Sequence, residues 1–124
     1  MKPFYVTTPI YYVNDKPHIG TSYSTIAADV MARYQKLRGR PVRFLTGLDE
    51  HGLKIARVAE SQGLSPQAFT DTMHQPFRDT WKLLSCEYDD FIRTTEPRHK
   101  LRAQALWKRI ADRGDIYLGE YEDW

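Results

Sequence analysis

Residues 4–46 decide the fold, and they read FYVTTPIYYVNDKPHIGTSYSTIAADVMARYQKLRGRPVRFLT. Two runs rich in aromatic and β-branched residues, 4–8 and 42–46, flank a longer segment in which apolar residues recur every three or four positions. The two runs predict short strands, closed by Pro9 and by Gly47, and the segment between them predicts a helix. A strand, a helix and a strand over this length form a βαβ unit. The two strands should therefore be parallel and the crossover right-handed.

The predicted helix follows a loop that contains residues 14–17 and ends near Gly39 and Pro41. Cations gather in its last turns, where they suit the negative end of the helix dipole. One face of this helix is defined by its apolar residues, which are Ile19, Tyr23, Ile26, Ala27, Val30, Met31, Tyr34 and Leu37. This spacing of three and four residues is typical of an amphipathic helix.

Three more helices and one more strand are predicted downstream. Residues 50–62 read as a helix with Gly63 just past its end, and Ser65 followed by Pro66 is typical of a helix start. The next helix is marked by Phe69, Met73, Phe77, Trp81 and Leu84. The last helix opens at Glu96 and Pro97, carries Leu101, Leu106, Trp107 and Ile110, and stops at residues 113–115. Residues 116–118 predict one more strand.

Composition excludes several classes of protein. The chain has 124 residues, enough for one domain, and its net charge of +2 is too small to argue for nucleic-acid binding. Its single cysteine excludes an internal disulfide, and its four histidines lack metal-ligand spacing, so we expect no metal site from this chain alone. No apolar run approaches the roughly 20 residues of a membrane span, and the N-terminus does not resemble a signal peptide. We expect a cytoplasmic protein without membrane contact.

The first candidate site is the run His18-Ile19-Gly20-Thr21, between the first strand and its helix. Ligands of open parallel sheets bind outside the carboxyl ends of the strands, where this loop lies. A helix N-terminus attracts phosphate, Gly20 leaves room beside the backbone, and His18 can donate a hydrogen bond to a phosphate oxygen. Taken alone, the same four residues are more often a surface histidine and a turn glycine.

The second candidate is the run LTGLDEHG at residues 45–52. Asp49 follows the second strand, at the sheet edge where the first loop also lies. A carboxylate there could hold a substrate ammonium through a charge-assisted hydrogen bond. The alternative is that Asp49 and Glu50 cap the helix expected to begin there, as acidic residues commonly do.

Together the two runs belong to a longer resemblance. Five runs of the sequence resemble bacterial methionyl-tRNA synthetases. They are YVTTPIYYVNDKPHIG at residues 5–20, IAADV at 26–30, LTGLDEHG at 45–52, FIRTT at 91–95 and GDIYLGEY at 114–121. The resemblance covers nearly the whole chain. It implies membership of the class I aminoacyl-tRNA synthetases and an incomplete α/β fold, a Rossmann-like parallel sheet with flanking helices.

The resemblance also implies an activity. Methionine would attack the α-phosphorus of ATP in the presence of Mg²⁺, and the aminoacyl group would then pass to the methionine tRNA. Matched to the family pattern, the residues that bind ATP would be His18, Ile19, Gly20 and Thr21, of which His18 and Thr21 would be catalytic. Those that bind methionine would be Pro9, Ile10, Tyr12 and Asp49. The family signature is His-Ile-Gly-His, so Thr21 offers one neutral hydroxyl where relatives have an imidazole.

The family also carries parts that have no counterpart in this sequence. These are a cysteine-rich knuckle that binds zinc, a Lys-Met-Ser-Lys-Ser loop that holds the triphosphate, and an anticodon-binding domain that contacts tRNA. We therefore interpret residues 1–124 as the N-terminal part of the catalytic domain, truncated before the knuckle and the lysine loop, and we expect this piece alone to be poorly active.

Two alternatives stay open. The first is another class I synthetase, or a small nucleotidyltransferase with a related histidine loop. The second is a truncated synthetase-like module that binds nucleotide or regulates without catalysis.

Overall fold

The strand–helix–strand unit predicted from residues 4–46 is present. In a computed structural model, which describes residues 2–120, β1 (Phe4–Tyr12), α1 (Ile19–Leu37) and β2 (Val42–Asp49) follow one another. β1 and β2 pair in parallel, with Phe4 opposite Val42 at one end and Tyr12 opposite Asp49 at the other. The prediction of parallel strands is confirmed.

The sheet has a third parallel strand. Helices α2 (Leu53–Ser61) and α3 (Pro66–Leu83) lead to β3 (Asp90–Arg93), which pairs with β2, and α4 (Pro97–Ala111) follows. The strand order is β1-β2-β3. These elements form the predicted Rossmann-like α/β fold, a parallel sheet with flanking helices.

Both predicted strand ends are wrong, because Pro9 and Gly47 lie inside their strands. β1 continues to Tyr12, with a shift of register between Thr7 and Ile10. β1 is an edge strand of this sheet, where a residue without an N–H is tolerated. A Cβ at Gly47 would lie 2.1 Å from the carbonyl oxygen of Ile92, so the missing side chain lets β2 and β3 approach.

The third strand was not predicted, and the strand predicted at residues 116–118 is wrong. Residues 116–118 have no regular structure and pair with no strand in the described range. A strand requires a partner for its backbone groups, and none is placed beside these residues. Residues 121–124, the end of the run GDIYLGEY and of the proposed domain, lie outside the described part of the chain.

The main core lies between α3 and the sheet. Phe69, Phe77 and Trp81, three of the five residues predicted to mark α3, are buried against Tyr11 and Leu48. Fully burying side chains of this kind contributes about 1.5–3 kcal/mol each. The predicted start of α3 is confirmed, since the Ser65 hydroxyl accepts a hydrogen bond from the Ala68 N–H at 3.2 Å.

The apolar faces of α1 and α4 are not buried among residues 2–120. The residues of α1 that contact the sheet are small or polar, and they include Thr25, Ala28 and Ala32. The apolar stripe of α1 lies on the exposed side, where Ile19 is 89% exposed. α4 has no buried residue. None of the described helices has the length and apolarity that crossing a membrane requires.

Candidate functional site

The candidate site lies where β1 and β2 end and α1 begins. Tyr12 and Asp49 are the last residues of their strands and face each other in the strand register. His18 precedes α1 directly as its N-cap. Because parallel strands present their carboxyl ends at one edge, the two runs singled out in the sequence meet there.

His18 is held by the helix that it caps. Its Nδ1 accepts a hydrogen bond from the Gly20 N–H at 3.1 Å. A neutral imidazole that accepts at Nδ1 carries its proton on Nε2, so Nε2–H is free to donate to a ligand. A Cβ on Gly20 would lie 3.0 Å from Cε1 and 3.2 Å from Nδ1 of His18. The lack of a side chain at Gly20 therefore permits this ring position.

Thr21 completes the cap. Its hydroxyl accepts a hydrogen bond from the His18 N–H at 3.0 Å and donates to the His18 carbonyl at 2.7 Å. A threonine hydroxyl has a single proton to donate. In this conformation the Thr21 hydroxyl fixes the backbone of His18, and its proton is not available to a phosphate.

Two cavities open at this edge. The first has a volume of about 310 Å³ and brings together Ile10, Tyr12, His18 and Thr21, four of the predicted site residues. The second, of about 300 Å³, is also lined by Tyr12 and continues along the start of α2. Tyr12 thus borders both cavities. Four predicted residues line neither cavity: Pro9, Ile19, Gly20 and Asp49.

Sequence reasoning missed several residues that line these cavities. Asn14 lines both cavities, Lys16 lines the first, and His51 and Lys54 line the second. The signal for Asn14 and Lys16 was available, because a loop at the carboxyl end of a strand is where ligands of this fold bind. His51 stood inside the run at residues 45–52, but no role was assigned to it.

Asp49 does not cap a helix, so the capping alternative is wrong. α2 begins at Leu53 and not at residue 50, and its N-cap is Gly52, which has a φ of 122° and no side chain to bond the helix. Within residues 2–120 the Asp49 carboxylate has no hydrogen-bond or ion-pair partner. It is half-buried beside Tyr12 and is free to accept a ligand donor.

Glu50 is not a cap either. Its side chain is fully buried and accepts hydrogen bonds from Arg93 Nε, at 2.6 Å, and from the Thr95 hydroxyl. Arg93 also donates to Asp71 on α3 at 2.6 Å, and this bond lowers the pKa of the Asp71 carboxyl. Burial opposes the charge of Arg93, but the hydrogen bonds that Arg93 donates to Glu50 and to Asp71 raise its pKa overall. The network connects β3 and α3 to the end of β2, at the residue that follows Asp49.

His74 lies near this network on α3. Burial lowers the pKa of its imidazole, and the charges of Arg93 and Arg78 lower it further. Nδ1 of His74 is buried without a hydrogen-bond partner among the described residues. Both effects disfavour the charged form of the ring. His74 lines neither of the two cavities at the strand ends.

The described residues hold no metal centre. Residues 2–120 contain no group of three or more His, Cys, Asp or Glu side chains placed to bind one ion. Cys86 is buried, and burial raises the pKa of its thiol, which disfavours the thiolate that binds metals.

Comparisons with known proteins agree on one family. A family model described as "tRNA synthetases class I (M)" matches residues 4–124. The methionine–tRNA ligase of Halalkalibacterium halodurans is 55% identical over 123 residues, which cover 99% of this chain and 19% of that protein. The methionine–tRNA ligase of Thermosynechococcus vestitus is 53% identical over 121 residues, 98% of this chain and 23% of that protein.

A solved structure gives the same result. Mycobacterium tuberculosis methionyl-tRNA synthetase, in complex with methionyl-adenylate, superimposes with a TM-score of 0.93 at 45% identity. The match covers 98% of this chain and 24% of that one. The chain spans about a fifth of the length of the curated relatives it matches. With a family match over residues 4–124, the chain belongs to the class I tRNA synthetases.

Proposed function

We propose that this chain forms the methionine- and ATP-binding edge of a methionine–tRNA ligase. In the first step the carboxylate oxygen of methionine attacks the α-phosphorus of ATP, giving methionyl-adenylate and pyrophosphate. In the second step the aminoacyl group passes to the terminal ribose of the methionine tRNA. The observation that carries the proposal is that a His18-capped helix and the carboxylate of Asp49, which has no partner among residues 2–120, lie at neighbouring strand ends.

The ATP side of the proposal rests on the start of α1. Nε2–H of His18 is free to donate to a phosphate oxygen, because Nδ1 is occupied by Gly20. The first turn of a helix adds backbone N–H groups and a partial positive charge. Gly20 leaves the backbone open, and exposed Ile19 offers apolar surface to the adenosine. Catalysis by such groups is mainly positioning and charge stabilisation.

Thr21 contributes to this site through His18. Its hydroxyl bonds both backbone groups of His18, so its role in ATP binding is to fix the imidazole. Positive charge for the phosphates would be supplied instead by Lys16, a residue that lines the same cavity. This arrangement substitutes for the imidazole that relatives have at the fourth signature position.

The methionine side rests on the end of β1. Ile10 and Tyr12 line the first cavity and offer apolar surface to the thioether chain, with Pro9 preceding them on the same strand. Asp49, opposite Tyr12, would hold the ammonium group by a charge-assisted hydrogen bond. The Asp49 carboxylate has no partner among residues 2–120, which supports this role, since it can form a charge-assisted hydrogen bond with a bound ammonium.

The other partners follow from the activity. Mg²⁺ would arrive with ATP, and residues 2–120 offer no cluster of three ligands for it. Zinc and most tRNA contacts would involve parts of the relatives outside the fifth of their length that this chain matches. Residues 1–124 would then be the N-terminal part of the catalytic domain. Such an enzyme would act in the cytoplasm, where tRNA is charged for translation.

An amino-acid panel tests the proposal. The complete protein is incubated with ATP, Mg²⁺ and labelled pyrophosphate, and formation of labelled ATP is followed with methionine, leucine, valine or isoleucine. We expect methionine to support exchange at least about tenfold better than the others. Preference for a different amino acid would favour another class I synthetase, and no exchange with any would favour the module without catalysis.

A further inference from the structure

We propose that Thr94 is a positioning residue for Asp49, and this inference rests on the proposed role of Asp49 in binding the methionine ammonium. The backbone N–H of Thr94 donates to the Leu48 carbonyl at 3.2 Å, and the Thr94 hydroxyl accepts from the Glu50 N–H at 2.8 Å. Thr94 therefore bonds the chain immediately before and immediately after Asp49. It is 4% exposed, so both bonds are shielded from water.

Asp49 needs such support from its backbone. Its carboxylate has no hydrogen-bond partner among residues 2–120, so no neighbouring side chain fixes its direction. Peptide groups are planar, and the bonds at Leu48 and Glu50 fix the peptide planes on either side of the Asp49 Cα. The segment that follows β3 thereby fixes the backbone of Asp49, and the Asp49 side chain keeps only the freedom of its own rotamers.

Thr94 is itself anchored. Its carbonyl oxygen lies 3.3 Å from His51 Nε2 and 3.1 Å from His99 Nδ1, so ring N–H groups of both histidines can donate to it. The next residue, Thr95, donates to the buried carboxylate of Glu50, which also accepts from Arg93. The segment after β3 is thus hydrogen-bonded to the segment after β2 at several points. Polar groups buried in this way hold a geometry firmly only while every member keeps its partner.

The hydroxyl of Thr94 is the group to remove. Thr94→Val keeps the branched shape and leaves the Glu50 N–H buried without an acceptor, whereas Thr94→Ser keeps the acceptor. Thr70→Val is the matched control. Thr70 is 1% exposed, and among residues 2–120 its hydroxyl bonds only the Gln67 carbonyl of its own helix. All variants, together with Asp49→Asn, are made in the complete protein.

The readout is the ratio of two affinities, for methionine and for 4-(methylthio)butanoate, which lacks the amino group. We expect Asp49→Asn to lower this ratio strongly, Thr94→Val to lower it about tenfold, and Thr94→Ser and Thr70→Val to leave it unchanged. A role confined to stability would weaken both ligands equally and keep the ratio constant. The double variant Asp49→Asn/Thr94→Val should have the same ratio as Asp49→Asn alone, because Thr94 acts on the ratio through Asp49.

The outcomes separate the two proposals. If Asp49→Asn leaves the ratio unchanged, the role of Asp49 in the proposed function fails. If Asp49→Asn lowers the ratio and Thr94→Val does not, the positioning role of Thr94 alone is overturned. Should Thr94→Val not fold, comparing Thr94→Ala with Thr94→Ser isolates the same hydroxyl, and equal ratios for the two would overturn the role.

Discussion

The imidazole of His18 accepts a hydrogen bond of 3.1 Å from the backbone N–H of Gly20 at Nδ1, which leaves Nε2 as the ring nitrogen that could bind a ligand. A Cβ added at position 20 would lie 3.0 Å from the ring, a tight contact, so the imidazole would have to shift to accommodate a larger residue there. A residue that looks like a simple turn glycine is thereby coupled to the orientation of a candidate phosphate donor.

Gly20→Ala should therefore separate stability from activity. Alanine favours a helix over glycine by about 0.8–1.0 kcal/mol, and this gain offsets the partial loss of the His18 cap. We expect the free energy of unfolding to change by less than about 1 kcal/mol, while the KM for ATP in the complete protein rises about 10- to 100-fold. An unchanged KM for ATP would show that the His18 ring position does not matter.

Thr21→Val removes both hydrogen bonds to the His18 backbone. We expect the 124-residue chain to lose about 0.5–2 kcal/mol of unfolding free energy, as is usual when a helix cap is lost. Thr21→Ser keeps the hydroxyl and should retain most of the stability. Urea unfolding followed by circular dichroism measures both. Equal losses for valine and serine would mean that the hydroxyl contributes nothing to the cap.

Arg93→Met should be strongly destabilising. It leaves the carboxylate of Glu50, whose side chain is fully buried, without its charged partner. Breaking a buried pair from one side lowers the free energy of unfolding by about 3–5 kcal/mol. The matched control is Arg43→Met, since Arg43 is exposed and lies 3.6 Å from Asp90. Exposed pairs contribute about 0–1 kcal/mol. Similar losses for the two variants would contradict the buried network.

Stability should fall in acid partly through Asp90. Arg98 donates two hydrogen bonds to this carboxylate, at 2.8 and 3.0 Å, and lowers its pKa in the folded state. A carboxylate with a lowered folded pKa stabilises the protein fully above its unfolded pKa of about 3.9. That stabilisation is lost as the pH falls through the folded pKa.

Asp90→Asn tests this pH dependence. We expect the variant to be less stable than the parent chain at pH 6 and the difference to shrink as the pH falls below about 4. Urea unfolding at a series of pH values gives both curves. A difference that is constant from pH 6 to pH 3 would assign the effect to packing and not to the charge of Asp90.

Local sequence patterns predicted the first two strands and the helix between them. They failed for features that depend on packing between distant parts of the chain, such as β3 and the buried face of α1. The runs at residues 4–8 and 42–46 predicted β1 and β2, because aromatic and β-branched residues mark buried strands. β3 has only four residues and carries a charge at each end, so it shows no such pattern. The apolar stripe of α1 was identified, but periodicity alone does not show whether that stripe packs on the sheet, and in the structure it is exposed. The residues that contact the sheet are instead small ones such as Ala28 and Ala32.

The site was predictable to the same extent. His18 and Asp49 follow strands that the sequence predicts, so their meeting at one sheet edge followed from the parallel topology. Glu50 read as a helix cap because acids are common at helix starts, and its burial depends on Arg93 and Thr95, more than 40 positions later. No local signal links residues so far apart. For the same reason Thr94 became visible only once β3 was placed beside β2.

The methionine dependence of pyrophosphate exchange in Asp49→Asn tests the central claim most directly. The variant keeps the size of the side chain and removes only its charge, and Asp49 caps no helix whose loss could confuse the result. In the complete protein we expect the KM for methionine to rise at least about tenfold, as for a lost charge-assisted hydrogen bond, while the KM for ATP stays within about twofold. An unchanged KM for methionine would contradict the claim that this edge binds the amino acid through Asp49.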